Sequence, residues 1–252
     1  MQVNLNELED ALINEEFFVE YQPIMRIDGK ECLGAEALIR WQRGQEVIPP
    51  LDFIPLIENT PLSGLFTYWL IERISQELGE WLRRQDHLFI SINVSPELLG
   101  RGGLMYVASK CGLLDIAEKI IIEVTERGVP DNLGLQGLME GKKCGFRVCL
   151  DDVGATNENL LIYSRANVDL IKLDKSIADE MLEADWTEDK INGLKVFTQS
   201  TNIKVIAEGI ETELQKDLFQ KFGVQMGQGW YFSYPLSAER FSEFFLASIT
   251  GD

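Results

Sequence analysis

Short apolar runs of strand character recur along this chain, and longer stretches of helical periodicity separate them. Runs at 17–23, 32–38, 88–94, 120–124, 147–150, 170–173, 204–207 and 225–229 read as strands. Helical patterns fill 51–58, 65–84, 96–111, 133–144, 157–166, 175–183, 187–200 and 213–222. A last helix at 237–248 opens on Ser237 as N-cap, with Arg240 and Glu243 on its polar side. Only the first two strands are joined tightly, through Arg26-Ile27-Asp28-Gly29-Lys30, whose Asp-Gly is a hairpin signal. The first strand is therefore expected to run antiparallel to the second, while the others alternate with helices. Eight such strands with no long linker predict an α/β fold, a (β/α)8 barrel of modified TIM type with an antiparallel first strand. The polar stretch 184–190 reads as a loop rather than a boundary, so residues 1–252 are expected to form a single domain.

A length of 252 residues suits one such barrel. The net charge of -18 argues against a partner such as a DNA or RNA polymer or an anionic lipid surface, since both would repel it. No apolar run approaches the roughly 20 residues of a membrane span, so membrane insertion is not expected. The opening MQVNLNELED lacks the basic and apolar segments of a signal peptide. Cys32, Cys111, Cys144 and Cys149 lack zinc-type spacing and read as reduced thiols of a cytoplasmic protein. His87 is the only histidine and sits in a polar turn setting, so imidazole-based zinc and Ser-His-Asp chemistry are excluded. Carboxylates, amides and lysine are left to carry any reaction.

Those groups fall in a pattern. Glu36 interrupts the second strand, and Asn93, Glu123, Asp151 with Asp152, Glu208 and Gln228 end later ones, while Lys172 sits inside Leu170-Ile171-Lys172-Leu173. In a barrel the C-terminal ends of parallel strands converge on one mouth, so these side chains are expected in a single cavity. Several carboxylates in one pocket of low dielectric need a compensating cation. Oxygen ligands without histidine or thiolate select hard ions, which points to Mg²⁺ or Mn²⁺. The adjacent Asp151 and Asp152 suit a pair of ions sharing one carboxylate, an arrangement that activates water for phosphate-ester hydrolysis. Lys172 is placed to hold the attacking water or a phosphate oxygen. Arg40 reads equally as a phosphate clamp or as half of a rim salt bridge, and Trp41 as core or as a stacking surface for a base, with core the preferred reading.

At these residues the chain resembles the EAL family of bacterial cyclic di-GMP phosphodiesterases. The naming signature stands as Glu36-Ala37-Leu38-Ile39-Arg40-Trp41, preceded by Tyr21-Gln22-Pro23. Phe53-Ile54-Pro55-Leu56-Ile57-Glu58 is similar to the family's helix after the second strand. Ile92-Asn93-Val94-Ser95, Glu123-Val124-Thr125-Glu126, Asp151-Asp152-Val153-Gly154 and Ile171-Lys172-Leu173-Asp174 follow in family order. Ala207-Glu208-Gly209-Ile210-Glu211-Thr212 and Gln228-Gly229 complete the set. The resemblance implies a metal-dependent cleavage of cyclic di-GMP to linear pGpG. It implies that Glu36, Asn93, Glu123 and Asp151 hold one Mg²⁺ or Mn²⁺, and that Asp151 bridges to a second held by Asp152 and Glu208. By the same resemblance Lys172 positions the hydrolytic water and Glu208 assists its deprotonation. Gln22, Leu38, Arg40, Glu211 and Gln228 match substrate-side positions, and Glu126 matches an anchor of the loop after the fifth strand. A homodimer and fusion to a sensory domain are also implied.

One stretch departs from the family. Its usual Asp-Asp-Phe-Gly-Thr-Gly-Tyr-Ser-Ser-Leu reads here Asp151-Asp152-Val153-Gly154-Ala155-Thr156-Asn157-Glu158-Asn159-Leu160. The aromatic, the second glycine, the tyrosine and the serine pair are lost. Three functions stay open on the sequence: a working phosphodiesterase, a catalytically weak receptor that binds the dinucleotide and signals through shape, and a protein-interaction module without a nucleotide.

Overall fold

The computed structural model describes residues 3–58, 60–94, 98–99, 102–125, 132–153, 168–182, 195, 198 and 203–250. The expected helix at 157–166, the loop 184–190 and most of the expected helix at 187–200 lie outside the described residues, as does Glu126. The strands are β1 (Phe17–Arg26), β2 (Cys32–Arg43), β3 (Glu46–Ile48), β4 (Phe89–Asn93), β5 (Ile120–Thr125), β6 (Arg147–Val153), β7 (Leu170–Leu173), β8 (Lys204–Ala207) and β9 (Met226–Gly227). The helices are α1 (Leu5–Ile13), α2 (Pro50–Ile57), α3 (Leu62–Arg83), α4 (Gly103–Lys110), α5 (Asn132–Lys143), α6 (Lys175–Leu182), α7 (Glu213–Lys221) and α8 (Ala238–Thr250).

The sheet runs β1-β9-β8-β7-β6-β5-β4-β2-β3, and a further β1–β2 pairing closes it. Eight strands make the barrel, and β3 hangs on the outer part of β2 as an antiparallel hairpin partner. β1 is antiparallel to both β2 and β9, while every other barrel pairing is parallel. The inversion follows from the tight connection. Gly29 has φ +74, and the Asp28 carboxylate accepts the Lys30 N–H at 3.1 Å, so five residues reverse the chain without a crossover helix.

Strand residues alternate between two apolar layers. Ile24, Phe89, Ile121, Cys149, Leu170, Ile206 and Met226 fill the barrel's interior. Gly34 stands in register with Phe89 on that face; a Cβ there would lie 2.5 Å from the Phe89 ring. The opposite parity (Ile90, Ile92, Ile120, Ile122, Val148, Leu150, Ile171, Val205) faces outward into the larger outer core, to which α3, α4, α5, α6, α7 and α8 all contribute. A third cluster joins α1, α2 and the start of α3 to Phe17 and Trp41, whose rings stack at 5.6 Å. Trp41 is fully buried, as expected of a core residue, and His87 is exposed. All four cysteines are free. No helix among the described residues is long and apolar enough to cross a membrane.

The observed β2 runs five residues further toward the mouth than the hydrophobic pattern indicates, and the inverted β1 runs three residues further away from it. β6 also extends through Asp151 and Asp152, which the sequence places beyond its end. The expected helix at 96–111 is observed as Gly103–Lys110, and α1 and β3 are additions.

Candidate active site

Two residues along each strand from the interior apolar layer, the same face turns polar. Ile121 gives way to Glu123, Cys149 to Asp151, Leu170 to Lys172, Ile206 to Glu208 and Met226 to Gln228. On the inverted β1 the step runs backwards, from Ile24 to Gln22. The period of two thus places one polar layer on top of one apolar layer, at the ends where the parallel strands finish.

Lys172 is the hub. Its side chain is 1% exposed, and its Nζ lies 2.6 Å from Glu208 Oε1, 2.9 Å from Glu36 Oε2, 3.2 Å from Glu123 Oε2 and 3.5 Å from Asp151 Oδ1. Glu36 is held further by Asn93 Nδ2, which donates to its Oε1 at 2.8 Å, and by Gln228 Nε2, which donates to its Oε2 at 2.9 Å. Gln228 Nε2 also donates to Gln22 Oε1 at 3.2 Å. The sequence-expected Glu36, Asn93, Glu123, Asp151, Lys172, Glu208, Gln22 and Gln228 therefore form one connected polar cluster.

Asp152 needs a separate account, because neighbouring strand residues normally face opposite ways. The β6–β7 pairing shifts register between Leu150 and Val153, and Asp152 takes a left-handed φ of +56. This bulge breaks the alternation, so Asp151, Asp152 and Glu208 bring one carboxylate oxygen each within 4.8 Å of one another. A non-glycine residue with positive φ is held by its surroundings, and aspartate tolerates that region better than most.

A family model described as the EAL domain matches residues 5–235. The chain belongs to the EAL domain family. Among curated relatives, it is 32% identical over 240 residues to the probable cyclic di-GMP phosphodiesterase PdeB of Escherichia coli K12, covering 94% of this chain and 46% of that protein. It is 29% identical over 244 residues to the cyclic di-GMP phosphodiesterase PdeR of the same organism, covering 94% of this chain and 37% of that one. The chain thus spans less than half the length of either relative. Among solved structures, the EAL enzyme Bd1971 with cAMP and cyclic di-GMP bound superposes with TM-score 0.84 at 27% identity, over 95% of this chain and 67% of that one. The PaMucR phosphodiesterase in complex with c-di-GMP gives 0.82 at 26% identity, over 94% and 98%. The barrel with its inverted strand is thus the EAL fold.

The electrostatics of this EAL domain follow from burial. Burial, with the neighbouring carboxylates adding to it, pushes Glu123 and Asp151 above the ordinary carboxylate range against the pull of Lys172. Burial likewise raises Glu208 to about 8. Glu36 is buried too, but the Lys172 ammonium and hydrogen bonds from Lys172, Gln228 and Asn93 hold it below its usual value. One ammonium faces four carboxylates, and Glu123 Oε1 is buried with no hydrogen-bond partner among the described residues. An all-oxygen donor set with excess negative charge and an orphaned buried carboxylate oxygen fits a hard divalent cation.

A cleft of about 260 Å³ opens beside the cluster, lined by the expected Gln22, Glu36, Glu208, Glu211 and Gln228. Lys175, Gly209, Gly229 and Trp230 line it as well, and the sequence reading missed all four. Lys175 Nζ lies 2.6 Å from Glu211 Oε1 and 5.9 Å from the Trp230 ring centre. A Cβ on Gly229 would sit 2.1 Å from the Ile210 carbonyl oxygen, so only glycine lets this wall close. The signal was present: each missed residue except Lys175 directly follows a polar strand-end residue or its glycine. Leu38 is half-buried on β2. Arg40, further toward the mouth, meets Glu20 rather than the cluster, with Nε 2.8 Å from Glu20 Oε2.

Proposed function

We propose that this EAL domain hydrolyses one phosphodiester of cyclic di-GMP to give linear pGpG with the help of divalent ions. The observation that carries the reading is the ring of Glu36, Glu123, Asp151 and Glu208 around Lys172, with Asp152 turned into it by a strand bulge. Curated relatives are named for this activity, and solved EAL structures are described with this dinucleotide bound. Glu36, Asn93, Glu123 and Asp151 would hold one Mg²⁺ or Mn²⁺, and Asp151, Asp152 and Glu208 a second. Bound there, such ions supply Lewis acidity to a phosphate oxygen and lower the pKa of water.

The chain's own groups do the rest. Asn93 spends an amide N–H on Glu36, which fixes that carboxylate and leaves the Asn93 carbonyl oxygen as a donor. Lys172 holds a water or phosphate oxygen against the negative wall and limits repulsion among the carboxylates. Glu208, whose Oε1 lies 2.6 Å from Lys172 Nζ, stands beside the group that holds that water and would assist its deprotonation. Gln22, Leu38, Arg40, Glu211 and Gln228 contact the dinucleotide, and Glu126 anchors the loop after β5. The domain acts in the cytoplasm as a homodimer, joined to or governed by a sensory domain.

The departing sequence 153–159 favours a second reading, a receptor that binds the dinucleotide and cleaves it poorly. Incubation with cyclic di-GMP and Mg²⁺ or Mn²⁺, followed by chromatography, separates the two. Product from the natural chain, lowered more than about a hundredfold in Glu36→Ala, is the expected result. Calorimetric binding without product under any divalent ion leaves the receptor reading standing, and neither binding nor product removes both.

A further inference from the structure

We propose that Glu20 is a positioning residue for Arg40, holding the guanidinium at the rim of the mouth and out of the carboxylate cluster, so that its open edge meets a phosphate of the dinucleotide. The inference rests on the reading of the site given above. Strand parity places both side chains on the mouth side. Arg40 lies between Ile39 and Trp41, which pack into the outer cores, so it shares a face with Glu36 and Leu38. Glu20 lies between Val19 and Tyr21, both buried in that outer core, and shares a face with Gln22. In the β1–β2 register Glu20 stands opposite Leu38 and Phe18 opposite Arg40, so Glu20 and Arg40 are diagonal neighbours within reach of two long side chains.

The grip leaves one edge open. Arg40 Nε donates to Glu20 Oε2 at 2.8 Å and Nη1 donates to the Ile39 carbonyl at 3.2 Å, and no described residue accepts from Nη2. The Arg40 side chain is 14% exposed, so the guanidinium is fixed yet not sealed from solvent at the rim. A planar fork held on one side offers its remaining donors in one direction, which suits a phosphate oxygen. Without Glu20 the concentrated negative charge of the mouth, where four carboxylates share one ammonium, would draw this cation inward. An untethered arginine there would compete with divalent ions and vacate the rim. The Glu20 carboxylate is 31% exposed, and a pair open to water at one end contributes little to stability, so it makes better sense as an orienting device than as a brace.

The test is a double-mutant cycle in the full chain, using cleavage kinetics with Mg²⁺ or Mn²⁺ varied. Glu20→Ala is expected to raise KM roughly three- to tenfold, the cost of ordering one side chain, with kcat within about twofold and melting unchanged. It should also raise the divalent-ion concentration needed for half-maximal rate. Glu20→Gln, whose amide oxygen accepts the same hydrogen bond, should recover most of the loss. In an Arg40→Ala background, removing Glu20 should add nothing. A lower KM in Glu20→Ala, a fall confined to kcat, or additive effects would overturn the assignment. Should the natural chain bind without cleaving, the same cycle is read from calorimetric Kd values for cyclic di-GMP. A natural chain that neither cleaves nor binds sinks the functional reading and this one together, whereas additivity in an active chain sinks only this one.

Discussion

A buried ammonium with three hydrogens cannot satisfy four carboxylates, and Glu123 takes the shortfall. Its side chain is fully enclosed, one oxygen lies 3.2 Å from Lys172, and the other has no partner among the described residues. Burial and its acidic neighbours push its pKa well up, so its ionised form is held at a cost in the metal-free protein. Glu123→Gln keeps the shape, and its amide oxygen can still face Lys172. The metal-free variant is expected to unfold about 0.5–2 kcal/mol less readily than the natural chain, while binding Mg²⁺ or Mn²⁺ far more weakly. Urea unfolding without metal, beside a calorimetric metal titration, checks both halves. Lower stability in the metal-free variant would mean that Glu123 is a net structural asset to Lys172, which contradicts its description as strained.

At the scale of elements, the site depends on strands that meet closely enough for one polar layer to rest on one apolar layer. Gly34 sets the β2–β4 contact: a Cβ would lie 2.5 Å from the Phe89 ring and 2.6 Å from its carbonyl oxygen, and a backbone atom cannot swing aside. Gly34→Ala is expected to destabilise by about 1–3 kcal/mol, read from urea midpoints, and to lower turnover by shifting Glu36 two residues further on. Unchanged stability would show that β2 has slack the packing does not suggest. The sequence made most of this visible. Eight strands were legible because short, mostly apolar runs recur between stretches of helical periodicity, and their polar ends marked the mouth because such residues have no structural reason to be there. The remainder was hidden for physical reasons. Asp151 and Asp152 look like a turn, yet a bulge keeps them in β6. β3 is three residues of hairpin without alternation, and α1 buries only Leu8 and Ala11. Lys175 reads as an ordinary helix-start lysine until the fold lays its stem against Gly209.

For the molecule as a whole, the mouth couples metal, protons and folding. Without metal, burial raises Glu123, Asp151 and Glu208 above their unfolded values, so the folded chain binds these protons more tightly. A raised group adds stability below its unfolded pKa, near 4.5 for glutamate, and loses it as pH climbs through the folded value, about 8 for Glu208. Glu36, held low, behaves oppositely: its contribution is present above its unfolded value and fades as pH falls through the folded one. Lys172, raised further, stays charged throughout this range and contributes no slope. Glu36 is ionised in both states above pH 5 and adds no slope there, so the raised groups alone make the metal-free melting temperature decline from pH 5 to pH 8. Divalent ions need the ionised carboxylates, so the stabilisation they bring should grow over the same window. At a hundred times its Kd an ion adds about 2.7 kcal/mol, which raises Tm by roughly 5–10 °C in a chain of this length. Melting curves at half-unit pH steps, with and without Mg²⁺ or Mn²⁺, measure both slopes. Metal stabilisation of equal size at pH 5 and pH 8 would mean that the ions bind somewhere other than these buried acids.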